Sequence, residues 1–313
     1  MTSCKTAGLA VAAVLALLAF ADDAFAFCRA TTESPTADFN AAGGRCWTGG
    51  KPLYWKSKCV GFSLQKDGTS QFAIDKAAAI LTTSFSTWAV PSCSAGGTPS
   101  LIVSAADRST CGLVEFNVNG PNQNVIVFRD KDWPHNDPNN TLALTTLTFE
   151  KTTGEIYDAD MEINTFGQTM TPGDPVPANG YDFESVVTHE AGHFMGLAHS
   201  FDTKATMYPR YVPGSTNLRN LTTDDVEGIC TVYASDGNRS TSAGSLPAGA
   251  CDTTPYGGFS ALCGAETTTK KGSKSCSVIG VRSVPSDGFL AFGTILAATF
   301  LRRRRRVSAC PRR

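Results

Sequence analysis

Histidine is scarce in this sequence, and charged residues are few as well. There are 4 histidines in 313 residues, and charged residues make up 18% of the chain. Low charge combined with 42% hydrophobic residues excludes a chain that is disordered throughout, because disorder requires the opposite balance. The length is enough for one or two domains with a sizeable core. Because the histidines are so few, their positions carry information about function.

The middle of the chain lacks an excess of positive charge. Residues 27–275 contain 18 Lys and Arg against 25 Asp and Glu, a balance of −7. The net charge of −1 for the whole chain therefore conceals an acidic middle and a basic end, where five arginines form the run Arg302–Arg306. An acidic middle argues against a surface that binds nucleic acid, so we expect no nucleic acid among the partners.

The apolar run near the N-terminus is too short to span a membrane. Leu9–Phe20 is apolar, Lys5 precedes it, and Ala24–Ala26 has the small-x-small pattern of a cleavage site. A spanning helix needs about 20 apolar residues, which disfavours the alternative of a membrane anchor. The pattern predicts an export signal over residues 1–26, with cleavage after Ala26.

Export makes disulfides the default state of the cysteines. No Cys-x-x-Cys spacing is present, which argues against a thiolate metal site. Outside the signal and the C-terminal tail the number of cysteines is even and allows four bridges. The spacing does not determine the connectivity, although Cys93–Cys111 and Cys251–Cys263 are plausible short-loop pairs. The eight residues are Cys28, Cys46, Cys59, Cys93, Cys111, Cys230, Cys251 and Cys263.

The remaining chain is divided by composition. We expect a short N-terminal segment over residues 27–44, a compact domain over 45–235 and a linker rich in Ser, Thr and Gly over 236–275. Strands come first and most helices later, an order typical of an α+β fold. Short runs rich in apolar residues or Thr, several of them bounded by Asn, Gly or Pro, predict strands over 60–64, 101–104, 114–118, 125–128, 142–149 and 156–163. The three- and four-residue spacing predicts helices from Ile74 to Trp88, from Phe183 onward with Asp182 as its cap, and from Leu221 to Tyr233.

Three of the four histidines lie within eleven residues, in the sequence HEAGHFMGLAH. His189 and His193 are four residues apart, so on a helix they share one face and can bind one metal ion. Gly196 is a natural end for that helix because glycine accepts a positive φ, and the chain can then turn to bring His199 to the same ion. Three imidazoles with one open position are typical of a catalytic zinc site. Glu190 lies beside the first histidine, where it can act on a water molecule at the metal.

This motif resembles the signature of the metzincin metalloproteases. A methionine turn is expected beneath the zinc in that family, and Met207 lies eight residues after His199 within ATMYP. Ser200, Asp202 and the helix near residue 225 are similar to the matrixin branch. The resemblance implies a metzincin-type catalytic domain: a twisted, mostly parallel sheet with an antiparallel edge strand, an active-site helix and a C-terminal helix. It also implies that Glu190 is the general base and that Met207 forms an apolar floor without chemical action.

The sequence also departs from the animal matrixins. It has no recognisable pro-domain with a cysteine switch, and His135 is the only histidine left for a second zinc, so we expect that site to be absent and His135 to be exposed in a loop. The resemblance implies an extended substrate along the 143–147 edge, with Tyr208 near the substrate pocket and Tyr211 in the specificity loop. Structural calcium is compatible with the family, and the candidate ligands are Asp130, Asp132, Asp137, Asp158 and Asp160, without the spacing of an EF-hand.

The C-terminal residues 276–313 have the order cysteine, apolar segment, arginine run. Cys276 is followed by the apolar residues 288–301 and then by Arg302–Arg306. This order resembles the bacterial sorting signal called MYXO-CTERM, in which the tail is processed near the cysteine and the protein reaches the cell surface. The alternative is a plain membrane anchor, whose arginines would stay in the cytoplasm.

Together these features predict an exported zinc endopeptidase that acts on extended protein or peptide substrates at the cell surface or outside the cell. Its membrane contact would be transient and made only through the tail, with the tail-processing machinery as a further partner. An alternative from a different class is a surface adhesion or binding protein that keeps the metal site without activity. Glu190 argues against this alternative, because a pure binding protein needs no base there.

The tail generates the first testable prediction. If it is a sorting signal, Cys276→Ala will leave the tail unprocessed, and the protein will stay in the membrane at full length. Mass spectrometry of the mature protein is the measurement. If the tail is a plain anchor, the substitution will change nothing, and peptides beyond Arg282 will be present in the mature wild-type protein.

Overall fold

The computed structural model describes residues 26–41, 43–261 and 263. The predicted signal, apart from Ala26, and the C-terminal tail lie outside the described residues. The described strands are β1 Cys28–Arg29, β2 Cys59–Leu64, β3 Ile102–Ala105, β4 Val125–Phe128, β5 Ala143–Phe149, β6 Ile156–Ile163, β7 Met170–Thr171, β8 Tyr181–Asp182, β9 Leu197–Ala198, β10 Asn238–Thr241 and β11 Gly244–Pro247. The helices are α1 Ile74–Thr87, α2 Phe183–Phe194 and α3 Thr223–Val232, with a short 3₁₀ turn at Asn217–Arg219. No helix in this described part is both long and apolar enough to cross a membrane.

A five-stranded mixed sheet forms the centre of the fold, in the order β3-β2-β4-β6-β5. The pairs β2–β3, β2–β4 and β4–β6 are parallel, while β5 pairs antiparallel with β6 at one edge. The mostly parallel sheet with an antiparallel edge strand is therefore as expected. All four residues of β4 are buried, as is usual for an inner strand that is covered on both faces.

Helices α1 and α2 pack against each other and against one face of the sheet. The apolar spacing of α1 places Ala77, Leu81 and Phe85 on its buried face. The ring of Phe85 stacks on Phe62 of β2, with 4.3 Å between centroids, and meets Phe194 of α2 edge-on at 5.0 Å. These aromatic contacts join the sheet to the helix that carries the first two histidines of the motif.

The acidic side chains of β6 face a buried polar layer. Asp158, Asp160 and Glu162 alternate along the strand and so share one face, and each is at most 2% exposed. Glu162 is bound by Arg129 at 2.6 Å and by His135 at 2.7 Å. His135 is therefore not the exposed loop residue that we expected, because the buried carboxylate draws its ring inward.

The strand predicted over 114–118 is wrong. The segment forms no strand in the structure, and Val118 at its end is 55% exposed. A side chain pairs with its backbone instead: Asn117 N–H donates to the Asn122 side chain at 2.6 Å, and the Asn122 amide donates to Asn117 O at 2.9 Å. The apolar alternation there belongs to a surface loop.

The eight cysteines form four disulfides, as their even number indicated, but the two short-loop pairs are wrong. Three of the bridges join residues at least 137 positions apart, because the fold brings them together, while Cys28–Cys46 closes a loop with a separation of 18. The bridges are Cys28–Cys46, Cys59–Cys251, Cys93–Cys230 and Cys111–Cys263.

The expected linker is, in its described part, folded onto the domain. Strands β10 and β11 form a hairpin, and Arg239 of β10 is fully buried. Its guanidinium donates to Trp55 O at 2.8 Å and to Ser57 O at 2.9 Å, and it lies 4.8 Å from the ring centroid of Tyr233. Because a buried arginine needs such acceptors, the hairpin is an integral part of the core. The compact unit therefore extends past residue 235, and it also includes residues before 45, since β1 pairs with β9.

The buried acidic pair of β6 gives a prediction about stability. Burial is the main cause that raises the pKa of Asp158 and of Asp160, and the charge of Asp158 contributes further at Asp160. The folded state therefore keeps a proton that the unfolded carboxyl releases above a pH of about 4. As the pH rises from about 5 to 8, wild-type protein will lose stability relative to Asp158→Asn, by up to about 1.4 kcal/mol per pH unit.

Urea unfolding of both proteins across this pH range checks the prediction. The control is Asp107→Asn, at an exposed position, whose profile should run parallel to the wild type. A profile of Asp158→Asn that is also parallel to the wild type would show that Asp158 is ionised in the folded protein.

Candidate metal centre and catalytic cleft

The helix that carries the histidine motif begins at a buried cap. Asp182 accepts a hydrogen bond from Ser185 N–H at 2.9 Å, which is the usual contact of an N-cap carboxylate. Arg219 binds the same carboxylate through Nε at 2.7 Å, so the cap is held from both sides. The sequence-based prediction of Asp182 as the cap is confirmed, and the cap fixes the position of α2 over the sheet.

His189 and His193 lie on one face of α2, and each ring is oriented by a backbone carbonyl. Nδ1 of His189 is 2.6 Å from Thr206 O, and Nδ1 of His193 is 2.9 Å from Leu197 O. A carbonyl accepts only from a protonated nitrogen, so these contacts place the proton on Nδ1 and leave Nε2 with a free lone pair. This is the tautomer that a metal ligand needs.

The third histidine is brought to the others by a turn after α2. Gly196 has a φ of +86°, and a side chain there would approach Leu53 O at 3.0 Å, so only glycine fits the turn without strain. The next two residues form β9, which pairs with β1, and Ala30 N–H donates to Gly196 O at 2.9 Å. The N-terminal segment therefore supports the backbone immediately before His199.

The three imidazoles fit a single metal ion. One ligand nitrogen from each of His189, His193 and His199 lies within 4.8 Å of the others, and Nε2 of His193 is 3.2 Å from Nε2 of His199. Tetrahedral zinc with bonds of about 2.0–2.1 Å separates its ligands by about 3.3 Å. Among the described residues this is the only group of three or more His, Cys, Asp or Glu side chains that is close enough to share an ion.

The electrostatics of the site favour neutral imidazoles. Burial lowers the pKa of His189 to about 3, with a smaller contribution from the neighbouring His193. Burial is also the largest cause that lowers the pKa of His199. Neutral imidazole is the form that binds a metal ion, because protonation occupies the lone pair.

Glu190 lies beside the histidines and is held by a residue that the sequence did not single out. The hydroxyl of Thr145, in edge strand β5, donates to the Glu190 carboxylate at 2.6 Å. Burial raises the pKa of Glu190, while the nearby His193 and the bond from Thr145 lower it. We expected the 143–147 edge to contact the substrate. The bond from the Thr145 hydroxyl to Glu190 was not expected, because it depends on how β5 crosses α2, and no local sequence pattern reveals that crossing.

Met207 packs against a glycine of α2. A side chain at Gly192 would approach the Met207 sulfur at 2.2 Å and the Trp88 ring at 2.7 Å, so the contact exists only because residue 192 has no side chain. The backbone of this turn is held by Asp225 of α3, which accepts from Thr206 N–H at 2.8 Å and from Met207 N–H at 3.0 Å. The turn that contains Met207 is therefore held by both α2 and α3.

Comparison with known proteins agrees with this geometry. Residues 121–234 match the Matrixin family, peptidase family M10. This segment of the chain is matrixin-like. It contains β4 to β6, α2, the three histidines, Met207 and α3, and thus the elements that carry the candidate metal centre.

Curated relatives of the matrixin-like segment are metalloproteases. Human matrilysin is 36% identical over 106 residues, which are 34% of this chain and 36% of matrilysin. Metalloendoproteinase 1 of Glycine max is 47% identical over 55 residues, 18% of each chain. Human neutrophil collagenase is 43% identical over 58 residues, 18% of this chain and 12% of the collagenase. The match thus covers only about a third or less of these relatives.

Two further groups of candidate residues have other contacts in the structure. The hydroxyl of Tyr211 donates to Ser215 O and accepts from Asp182 N–H at 2.9 Å, so it braces the loop after the methionine turn. None of the five aspartates considered for calcium belongs to a group of three or more His, Cys, Asp or Glu side chains close enough to share an ion, among the described residues. Asp130, for example, accepts instead from Thr69 and Thr165.

The contact between Gly192 and Met207 can be tested by one methyl group. In an open helix Gly→Ala stabilises by about 1 kcal/mol, but Gly192→Ala forces the sulfur and the helix apart. We expect a net loss of about 1–3 kcal/mol in the free energy of unfolding and weaker zinc binding. Denaturant unfolding and metal titration measure the two effects.

The matched control for this prediction is Gly173→Ala, where a side chain would meet nothing within 4 Å. The control should change stability by no more than about 0.5 kcal/mol. If Gly192→Ala behaves like Gly173→Ala, Met207 does not constrain the helix.

Proposed function

We propose that this protein is a zinc-dependent endopeptidase that hydrolyses extended protein or peptide substrates. The observation that carries the proposal is the convergence of three imidazoles with a buried carboxylate at the edge of a sheet. The matrixin-like segment supports the same reaction class. We assign His189, His193 and His199 as the zinc ligands and Glu190 as the general base.

Zinc bound by these ligands would lower the pKa of a water molecule towards neutrality and polarise the scissile carbonyl. Glu190 accepts the proton of the attacking water and delivers it to the leaving amine. Thr145 holds this carboxylate in place, and the carbonyls of Thr206 and Leu197 keep two imidazoles in the orientation that binds metal. Met207 contributes no proton transfer and supports the imidazoles from below.

The position of β5 supports an extended substrate. It is the last strand of the described sheet on this side, and its residues line the same cleft as Glu190, His193 and His199. A peptide that adds to such an edge gains backbone hydrogen bonds whatever its side chains are. This mode of binding suits an enzyme that cuts within protein chains.

We further propose that the protein is exported and acts at the cell surface or outside the cell. The four disulfides support this location, because such bonds persist in oxidising compartments. The N-terminal signal pattern and the tail with Cys276 point in the same direction. The tail-processing machinery is then a transient partner.

The test of the enzymatic role is Glu190→Gln, with Glu227→Gln on the outer side of α3 as control. The amide cannot accept the proton, so peptide hydrolysis should fall by about 10²–10⁴-fold while zinc content stays at the wild-type level. Both quantities are measured on the same sample, by mass spectrometry of the metal and by cleavage of a quenched fluorescent peptide. The control should retain both.

Three outcomes are informative. A Glu190→Gln variant with more than half of the wild-type activity contradicts the assignment of the base. Loss of zinc together with activity means that Glu190 supports the site rather than the reaction. A wild-type protein that binds zinc and cleaves no protein or peptide favours the alternative of a surface binding protein.

A further inference from the structure

The catalytic cleft has a second wall, opposite β5. This wall is formed by the loop that the Cys28–Cys46 disulfide closes, here called the N-terminal loop, together with the adjoining Trp47. Between the two walls lies a cavity of about 140 Å³ that also contacts Glu190, His193 and His199. The cavity is therefore continuous with the proposed catalytic centre.

The cavity is apolar on both sides. The N-terminal loop contributes Pro35 and Phe39, and Trp47 follows it, while β5 contributes Leu147 and Phe149. Phe39 and Trp47 meet edge-on, with 5.7 Å between ring centroids, and both rings are only half-buried. Half-buried aromatic rings around a pocket can gain further burial from a ligand, since burying apolar surface is favourable.

The size of the cavity suits one bulky side chain. A dry protein cavity of about 150 Å³ lined by Leu, Ile and Phe holds a benzene molecule. An acidic occupant lacks a partner here, since the Arg29 guanidinium on this wall donates to Leu53 O at 2.8 Å and to Ser240 at 3.2 Å. Glu33, which also lines the cavity, would disfavour an acidic side chain.

The second wall is held in place before any substrate binds. The disulfide fixes both ends of the loop, Thr32 N–H donates to Lys51 O at 2.9 Å, and Trp47 Nε1 donates to Glu33 O at 2.9 Å. The start of the loop, β1, is paired with β9 directly before His199. A wall that is ordered in advance avoids the entropy cost of forming the pocket on binding.

We propose that the N-terminal loop and β5 together form a specificity pocket for one large apolar side chain, aromatic or branched aliphatic, of the substrate. The proposal rests on the proposed function, because it places the side chain of a peptide that lies along β5. The pocket selects at a single substrate position beside the scissile bond. Residues 28–47 thus determine specificity although they lie far from the zinc motif in sequence.

Cleavage of a peptide library by the zinc-loaded protein tests the pocket. At one position, peptides with Leu or Phe should have a kcat/KM tenfold or more above that of peptides with Ala. In Phe39→Ala and in Phe149→Ala this ratio should fall by about tenfold, at the same position in both variants. Phe39→Leu should restore most of it, and Phe259→Ala, an exposed aromatic outside the cavity, should leave it unchanged.

A binding measurement separates failure of the pocket from failure of the proposed function. Zinc-loaded Glu190→Gln is titrated calorimetrically with two versions of one peptide, which carry Leu or Ala at the selected position. The same titrations are then made with the double variant Glu190→Gln, Phe39→Ala. The Leu peptide should bind about tenfold more tightly, and Phe39→Ala should abolish the difference even if the wild type proves to have no hydrolytic activity. Equal binding of both peptides, or a preference that depends on Phe149 but not on Phe39, overturns the proposal.

Discussion

Two adjacent carboxylates at the start of α3 tie together the parts of the chain on which the metal centre depends. Asp225 accepts hydrogen bonds from the backbone of Thr206 and Met207, and Asp224 binds the Ser200 hydroxyl at 2.7 Å and Phe27 N–H at 2.8 Å. One pair thereby fixes the methionine turn, the turn after the third histidine and the beginning of the described chain. Carboxylates suit this position because a helix N-terminus favours negative charge and presents free N–H groups. Since the carbonyl of Thr206 orients His189, a shift of α3 would reach the metal site directly.

The helix with the first two histidines is held from its other side by the core. Trp88 is fully buried and donates from Nε1 to Thr188 O at 2.8 Å, next to His189, while its ring also lies close to Gly192. The position of α2 is thus set by α1, by Met207 and by the sheet at once. Ligands that converge within a few ångströms need such support, because binding energy falls quickly when ligand geometry is loose.

The site was largely predictable from the sequence because its signal is local. His189, His193, Glu190 and Gly196 follow helical spacing and glycine chemistry, and the edge strand follows from a run rich in Leu and Thr over residues 142–149. Thr145 was not predictable as the partner of Glu190, since the contact arises where β5 and α2 cross and the two residues are 45 apart in sequence. The same limitation explains the disulfides: composition fixes their number, whereas pairing depends on which strand ends become neighbours.

The largest difference between expectation and structure concerns the two flanks of the domain. Composition indicated a short leading segment and a linker, yet both belong to the folded unit: β1 of the leading segment pairs with β9, and two disulfides bind the expected linker to the domain. The bridges Cys59–Cys251 and Cys111–Cys263 span 192 and 152 residues. In the chain-entropy account, closing a loop of this length stabilises the fold by roughly 5 kcal/mol. A segment held in this way needs little apolar surface of its own, so Ser, Thr and Gly suffice for the hairpin around Arg239. The N-terminal loop follows the same rule, and its disulfide leaves aromatic rings such as Phe39 and Trp47 available to face the cleft instead of the core.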